Sequence, residues 1–242
     1  MIDPREIVSR EKFAAIKYII PVVSGKGGVG KSVVSTALSL ALTDRYKTGL
    51  LDLDFWGASA HVLLNTSNEF PEEEKGILPE EIGGVKFMSV AYYTQNNPLP
   101  IRGREYSDAF LELMAVTRWD DTECLVIDMP PGMADPFLDL LQYIKNGNFL
   151  VITTSSRLSS NIVSKTLKIL KELDLKIFGL IENMCSDDRN SRIKELAIDY
   201  NVKHLGNIPY YQDLDTHLGS WQDFLSTDFF QKIKEISIGL EM

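Results

Sequence analysis

Short apolar runs alternate along this chain with longer stretches in which apolar positions recur every three or four residues. The short runs read as strands: residues 18–23, 48–52, 85–90, 124–128, 149–154 and 176–183, with a shorter one at 204–207 that ends in Ile208-Pro209. The periodic stretches predict helices over 31–42, 106–118, 161–173 and 188–200, and a helical tail from Gln222. Asp3-Pro4 has the form of an N-cap with proline in the first turn, which predicts a helix through about Lys17. The stretch 65–84 is polar and holds Pro71 and Pro79, so it reads as an irregular connection, as does the loop through Pro100 to Arg104. Strands rich in Val, Ile and Leu set between helices imply a mostly parallel sheet buried on both faces. The expected architecture is one three-layer α/β domain over 18–242, preceded by the N-terminal helix in 1–17.

Composition narrows the function classes. At 242 residues and 44% apolar content, one domain with a sizeable core is expected. No apolar run approaches the ~18 residues of a membrane span. The first ten residues carry no secretory pattern, so a cytoplasmic location is expected. A net charge of −9 disfavours nucleic acid as a partner. The amphipathic tail sets two lysines against two glutamates, too little positive charge for stable membrane binding, and is read as packed on the core. Two cysteines, Cys124 and Cys185, make no disulfide scaffold.

The strongest chemical signal is Gly25-Lys26-Gly27-Gly28-Val29-Gly30-Lys31-Ser32, which fits the phosphate-loop pattern G-x-x-x-x-G-K-[ST]. It follows a predicted strand and opens a predicted helix, the context the motif needs. Glycines let backbone N–H groups converge on phosphate oxygens, and the helix N-terminus adds its positive dipole end. Lys31 supplies charge to the β- and γ-phosphates, and the Ser32 hydroxyl is a Mg²⁺ ligand. Three carboxylates fall at strand C-terminal ends, where ligands bind in such sheets: Asp52, Asp54 and Asp128. Carboxylates beside a phosphate loop are unfavourable without a cation, and Mg²⁺ resolves the conflict by taking oxygen ligands and water. His61 closely follows the Asp52–Asp54 segment and reads more readily as a satisfied histidine than as a ligand.

The second lysine, Lys26, makes the loop a KGGVGKS sequence. It resembles the deviant phosphate-loop ATPases that include MinD, ParA, the nitrogenase iron protein and the Mrp/Nbp35 proteins. The resemblance runs from about Ile20 to Trp221 and implies a MinD/ParA-like phosphate-loop NTPase using ATP, ADP and Mg²⁺. It implies that Lys26 reaches across a homodimer to the partner's nucleotide, which makes dimerisation ATP-dependent, and that Lys31 and Asp54 complete the catalytic set. The run Asp128-Met-Pro-Pro-Gly132-Met-Ala-Asp135 resembles the Mrp/Nbp35 switch II. By that resemblance Asp128 holds a Mg²⁺-bound water, the Gly132 N–H senses the γ-phosphate, Asp54 positions the attacking water in switch I, and Asp52 lies behind the metal. Glu182-Asn183-Met184 matches the family's adenine-reading asparagine, and Pro209 lies in the segment that flanks the base.

The sequence also departs from the family. Val33 replaces the usual hydroxyl residue of the loop, so an α-phosphate contact is lost. Ala58 stands for a proline in switch I, and Ser155-Ser156 for a TTP. No Cys-x-x-Cys follows Met184; Cys185 stands alone there, and a cluster needs several thiolates. The missing pair, the opening Met1-Ile-Asp-Pro-Arg-Glu-Ile and the VxDMPPG of switch II look most like an archaeal ATPase-type HypB branch. That implies nickel insertion into [NiFe]-hydrogenase with a HypA-like nickel carrier. The alternatives are an iron–sulfur carrier and a positioning ATPase like MinD or ParA.

Overall fold

In the computed structural model the described residues are 3–242 apart from 56, 67–68, 95–103, 134, 142, 145, 186–191 and 241. In chain order the elements are α1 (Pro4–Ala15), β1 (Tyr18–Val23), α2 (Lys31–Leu42), β2 (Thr48–Asp52), α3 (Ala60–Leu64), β3 (Glu80–Ile82), β4 (Val85–Ser89), α4 (Ala91–Thr94), α5 (Arg104–Val116), β5 (Cys124–Asp128), α6 (Asp135–Leu141), β6 (Asn148–Thr154), α7 (Arg157–Glu172), β7 (Lys176–Cys185), α8 (Arg192–Asp199), β8 (His204–Pro209), α9 (Trp221–Leu225) and α10 (Asp228–Ile238).

One eight-stranded sheet has the order β3-β4-β2-β5-β1-β6-β7-β8, parallel except for β3, which runs antiparallel to β4. β1 sits centrally between β5 and β6, and all of its residues after Tyr18 are buried. From β1 the chain crosses over α2 toward β2, whereas β5, β6 and β7 are followed by α6, α7 and α8 and step the other way. Right-handed crossovers therefore place α2 on one face and α5 through α8 on the other. α10 packs on α2, and α1 on α5. The expected three-layer α/β fold is the fold observed.

Several elements differ from the sequence reading. β3 lies inside the stretch expected to be irregular; its three residues gain order by pairing with β4 through Glu80↔Phe87 and Ile82↔Val85. The helices α3 and α6 had no prediction. α5 begins at Arg104 and ends at Val116, and α7 begins at Arg157, where Ser156 caps it by accepting from the Ser159 N–H. Residues 188–191 of the predicted fourth helix, and residues 100–103 of the predicted loop, lie outside the described residues. α1 is capped as expected, with the Asp3 carboxylate accepting from the Arg5 N–H at 2.9 Å. It is held on α5 by Phe13 against Phe110 and by Arg5 to Asp108 at 3.0 Å. The apolar side of α10, including Phe229, Phe230 and Ile233, is buried. Among the described residues no helix is long and apolar enough to cross a membrane.

Candidate nucleotide-binding site

The register of the sheet brings the acidic strand ends together. Asp52 of β2 is paired with Asp128 of β5 and with Ser89 of β4, and Val22 of β1 is also level with Asp128. One step beyond β1 the loop 24–30 turns into α2. Its last residue, Gly30, has φ +80°, left-handed backbone that favours glycine, and a Cβ there would lie 2.4 Å from the Asn183 Nδ2. Gly25 is small for a different reason: a Cβ would meet the Ile162 side chain of α7 at 2.3 Å. Around Gly27 and Gly28 nothing lies within 4 Å of an added Cβ, so the mouth of the loop is open where a phosphate chain would enter. Val29 is buried, and Ser32 and Val33 are partly buried on the first turn of α2. α2 offers its first-turn N–H groups with no side-chain cap, since its N-cap is Gly30.

The charges in this crevice are arranged in pairs. Lys31 is buried and donates from Nζ to Asp128 Oδ1 at 2.5 Å. Ser35, one turn along α2, donates to the same Oδ1 at 3.1 Å. Asp128 Oδ2 is buried with no hydrogen-bond partner, an orphaned oxygen of the kind that a cation or its water would satisfy. Asp52 is fully buried; it accepts from the Asp54 N–H at 3.1 Å and from Ser89 Oγ at 3.3 Å. Burial first, and then the neighbouring Asp128 charge, push its carboxyl up to about 7. Asp54 accepts from the Gly57 N–H at 3.1 Å.

No three His, Cys, Asp or Glu residues among those described form a ready-made metal cage. Mg²⁺ keeps waters and takes phosphate oxygens with one or two carboxylates, so it needs no such cage. Ser32, Asp52, Asp54 and Asp128 supply hard oxygen donors, and His61, buried in α3 with its pKa lowered by burial, belongs to no such group.

Two predicted residues beside the loop already hold partners within the chain. The Gly132 N–H donates to Ser24 O at 3.0 Å, so in this conformation it is tied to the end of β1 and does not point into the loop mouth. Asn183 is buried at the end of β7, and its amide nitrogen donates to Val29 O at 2.9 Å. In this state one N–H of that amide braces the phosphate loop, and the amide keeps a second N–H for a base edge. Lys26 is partly buried, makes no ion pair among the described residues, and its carbonyl accepts from Ser24 Oγ at 2.9 Å. Pro209 ends β8 and is exposed, level with Cys185 of β7. Cys124 is buried, its thiol pushed up to about 12 by burial, so it is no ligand; Cys185 is half-buried. One accessible thiol per chain does not fit a cluster held by four thiolates.

Two residues at the site escaped the sequence reading. Ser35 touches Asp128, and its only signal was a hydroxyl four residues after Lys31. Tyr106 of α5 is fully buried and donates to Leu53 O at 2.9 Å; nothing in the sequence links it to residues some fifty positions earlier.

Comparison with known proteins agrees with this geometry. The family model described as ParA, the NUBPL iron-transfer P-loop NTPase, matches residues 15–237. An iron–sulfur cluster carrier protein of Aquifex aeolicus is 34% identical over 217 residues, 83% of this chain and 60% of that protein. The chain thus spans well under two thirds of the carrier's length. The cytosolic Fe-S cluster assembly factor Nubp2 homolog of Drosophila erecta is 31% identical over 255 residues, covering 92% of this chain and 98% of that protein. A nucleotide-binding protein from Archaeoglobus fulgidus, solved in complex with ADP, superposes with a TM-score of 0.78 at 24% identity over 94% of this chain and 96% of that chain, which establishes the shared fold.

Proposed function

This chain belongs to the ParA family of NUBPL-type iron-transfer P-loop NTPases, and from that premise we propose that it is a nucleotide-switched dimer serving iron–sulfur metallocentre assembly. Membership makes it a P-loop ATPase, with ATP or ADP and Mg²⁺ as its cofactors. The observation that carries the proposal is the convergence of the Lys26–Lys31 loop with Asp52, Asp54 and Asp128 on one crevice at the strand ends.

In this reading the loop N–H groups and Lys31 bind the β- and γ-phosphates, and Ser32 and Asp128 hold Mg²⁺ and its water. Asp52 supports that water from behind, and Asp54 orients the attacking water. Lys26 completes the partner subunit's site. Gly132 lets go of Ser24 to meet the γ-phosphate, and Asn183 meets adenine with its second amide N–H and its oxygen, while Pro209 flanks the base and Val33 leaves the α-phosphate to backbone groups. Hydrolysis reverses these moves, so the output is a change of shape at the switch loops. The names of the relatives support an iron–sulfur role, whereas the cysteine content argues against this chain holding a four-iron cluster by itself. It therefore acts on a cluster whose other ligands come from a partner.

A nickel role with a HypA-like carrier is the second reading. Its favouring observations are the lone Cys185, the opening Met1-Ile-Asp-Pro-Arg-Glu-Ile and the VxDMPPG of switch II; no comparison supports it.

The test is light scattering of the protein in ATP and in ADP, followed by cluster transfer from a loaded iron–sulfur scaffold to an apo-ferredoxin. A dimer in ATP alone, with ATP-dependent transfer, is the expected result. A dimer indifferent to nucleotide, or transfer unaffected by the protein, refutes the proposal. A nucleotide-dependent complex with HypA and nickel moves the assignment to the second reading.

A further inference from the structure

We infer that Tyr106 is a positioning residue for the switch I aspartate, Asp54, gripping the chain on both sides of it. The inference rests on the reading that Asp54 orients the attacking water.

The grip is visible in the neighbours of Asp54. On one side is Leu53, whose N–H donates to Asp128 O at 3.0 Å and whose carbonyl accepts from the Tyr106 hydroxyl at 2.9 Å. The backbone between Asp52 and Asp54 is thus clamped from β5 and from α5 at once. On the other side is Phe55, whose ring lies 4.4 Å from the Tyr106 ring, centroid to centroid. Tyr106 is fully buried and Phe55 nearly so, and the carboxylates of Asp54 and Asp52 join burial in raising the tyrosine's pKa. At neutral pH the hydroxyl therefore keeps its proton and stays a donor.

The anchor of Tyr106 is itself firm. α5 is held by α1, through Arg5 to Asp108 and through Lys12, whose Nζ donates to Ala115 O at 2.5 Å and to Thr117 O at 2.6 Å near the end of α5. A side chain placed by such a helix defines where the 53–55 backbone can lie, and a water held by Asp54 inherits that placement. A general structural role for a buried tyrosine would appear in stability alone. A positioning role appears in turnover with nucleotide affinity unchanged.

The experiment compares Tyr106→Phe, Tyr106→Leu and Asp54→Asn, each alone, and the Tyr106→Phe/Asp54→Asn pair. Steady-state ATP hydrolysis and ATP affinity are measured well below each variant's Tm. Tyr106→Phe keeps the ring and loses one hydrogen bond, so kcat is expected to fall about five- to tenfold with KM within twofold. Tyr106→Leu is expected to fall further, and Tyr106→Phe to cost nothing more once Asp54 is asparagine. If Asp54→Asn abolishes hydrolysis while both Tyr106 variants turn over like the parent, the positioning role is wrong. Equal losses from Tyr106→Phe with and without Asp54 also overturn it. Hydrolysis unchanged in Asp54→Asn overturns instead the assignment of Asp54 on which the inference rests.

Discussion

Replacing Asp52 by asparagine is expected to stabilise the metal-free protein while impairing its use of Mg²⁺. Asp52 is fully buried, and burial together with Asp128 raises its carboxyl from the ordinary 3.8 to about 7. Between those two values the folded chain binds a proton that the unfolded chain has released. The stability contributed by this group is therefore complete below about pH 4 and is lost as pH rises through about 7. A shift of about three pH units at ~1.36 kcal/mol each sets a ceiling of about 4 kcal/mol on the destabilisation at pH 8.

Asparagine removes the charge and keeps the contacts. Its oxygen accepts from the Asp54 N–H, and its NH₂ replaces the oxygen that faces Ser89. Realising about half the ceiling would raise Tm by roughly 4–8 °C for a domain of this size. The assay is thermal unfolding of both proteins in EDTA from pH 4 to 8, the difference between them isolating this one group. The two curves are expected to converge near pH 4, to separate as pH rises toward about 7, and to run level above it. A variant less stable than the parent at pH 8, or a difference that does not change with pH, refutes the reasoning. Adding Mg²⁺ and ATP should stabilise the parent more than the variant, because the bound cation relieves the same repulsion.

Two further outcomes follow from the site. Lys31→Ala should abolish ATP binding in calorimetry and also cost about 3 kcal/mol of stability, since Asp128 is left buried without its cation; retained micromolar binding would remove the phosphate-loop role. Lys26→Ala should bind ATP yet remain a monomer by light scattering, and a normal ATP-dependent dimer would show that Lys26 does not act across the interface.

The central sheet was legible because strands buried on both faces leave continuous apolar runs, as in Ile19–Val23 and Leu125–Ile127. The phosphate loop was legible because its residue types are dictated by a ligand. β3 was not, since a three-residue edge strand with only Ile82 buried owes its order to β4. The amphipathic tail was correctly read as core-facing, because its apolar positions follow helical spacing. That the loop, Asp52, Asp54 and Asp128 share one end of the sheet was legible from their places at strand C-terminal ends, whereas the direct pairing of Asp52 with Asp128 was not, because the order of strands along the chain does not reveal which become neighbours. Nor does a motif disclose that the Gly132 N–H and the Asn183 amide have other partners in this conformation. Tyr106 was invisible for the same reason: its role is a contact between elements.

The pairing of Lys31 with Asp128 has a consequence for how the two cofactors arrive. In the proposed roles, ATP alone would draw Lys31 away from Asp128 Oδ1 and strand a buried carboxylate, whereas Mg²⁺ alone, taken through the unpartnered Oδ2, would set a second cation on the same carboxylate against the charge of Lys31. Bound together, the phosphates would take Lys31 and the metal would take Asp128, leaving no charge unmatched. Nucleotide and metal are thus coupled reciprocally through a single bond, and each should tighten the other's binding by the same factor. Titrating ATP with and without Mg²⁺, and Mg²⁺ with and without ATP, measures that factor twice, and unequal or absent coupling would mean the ion pair is not what the ligands compete with.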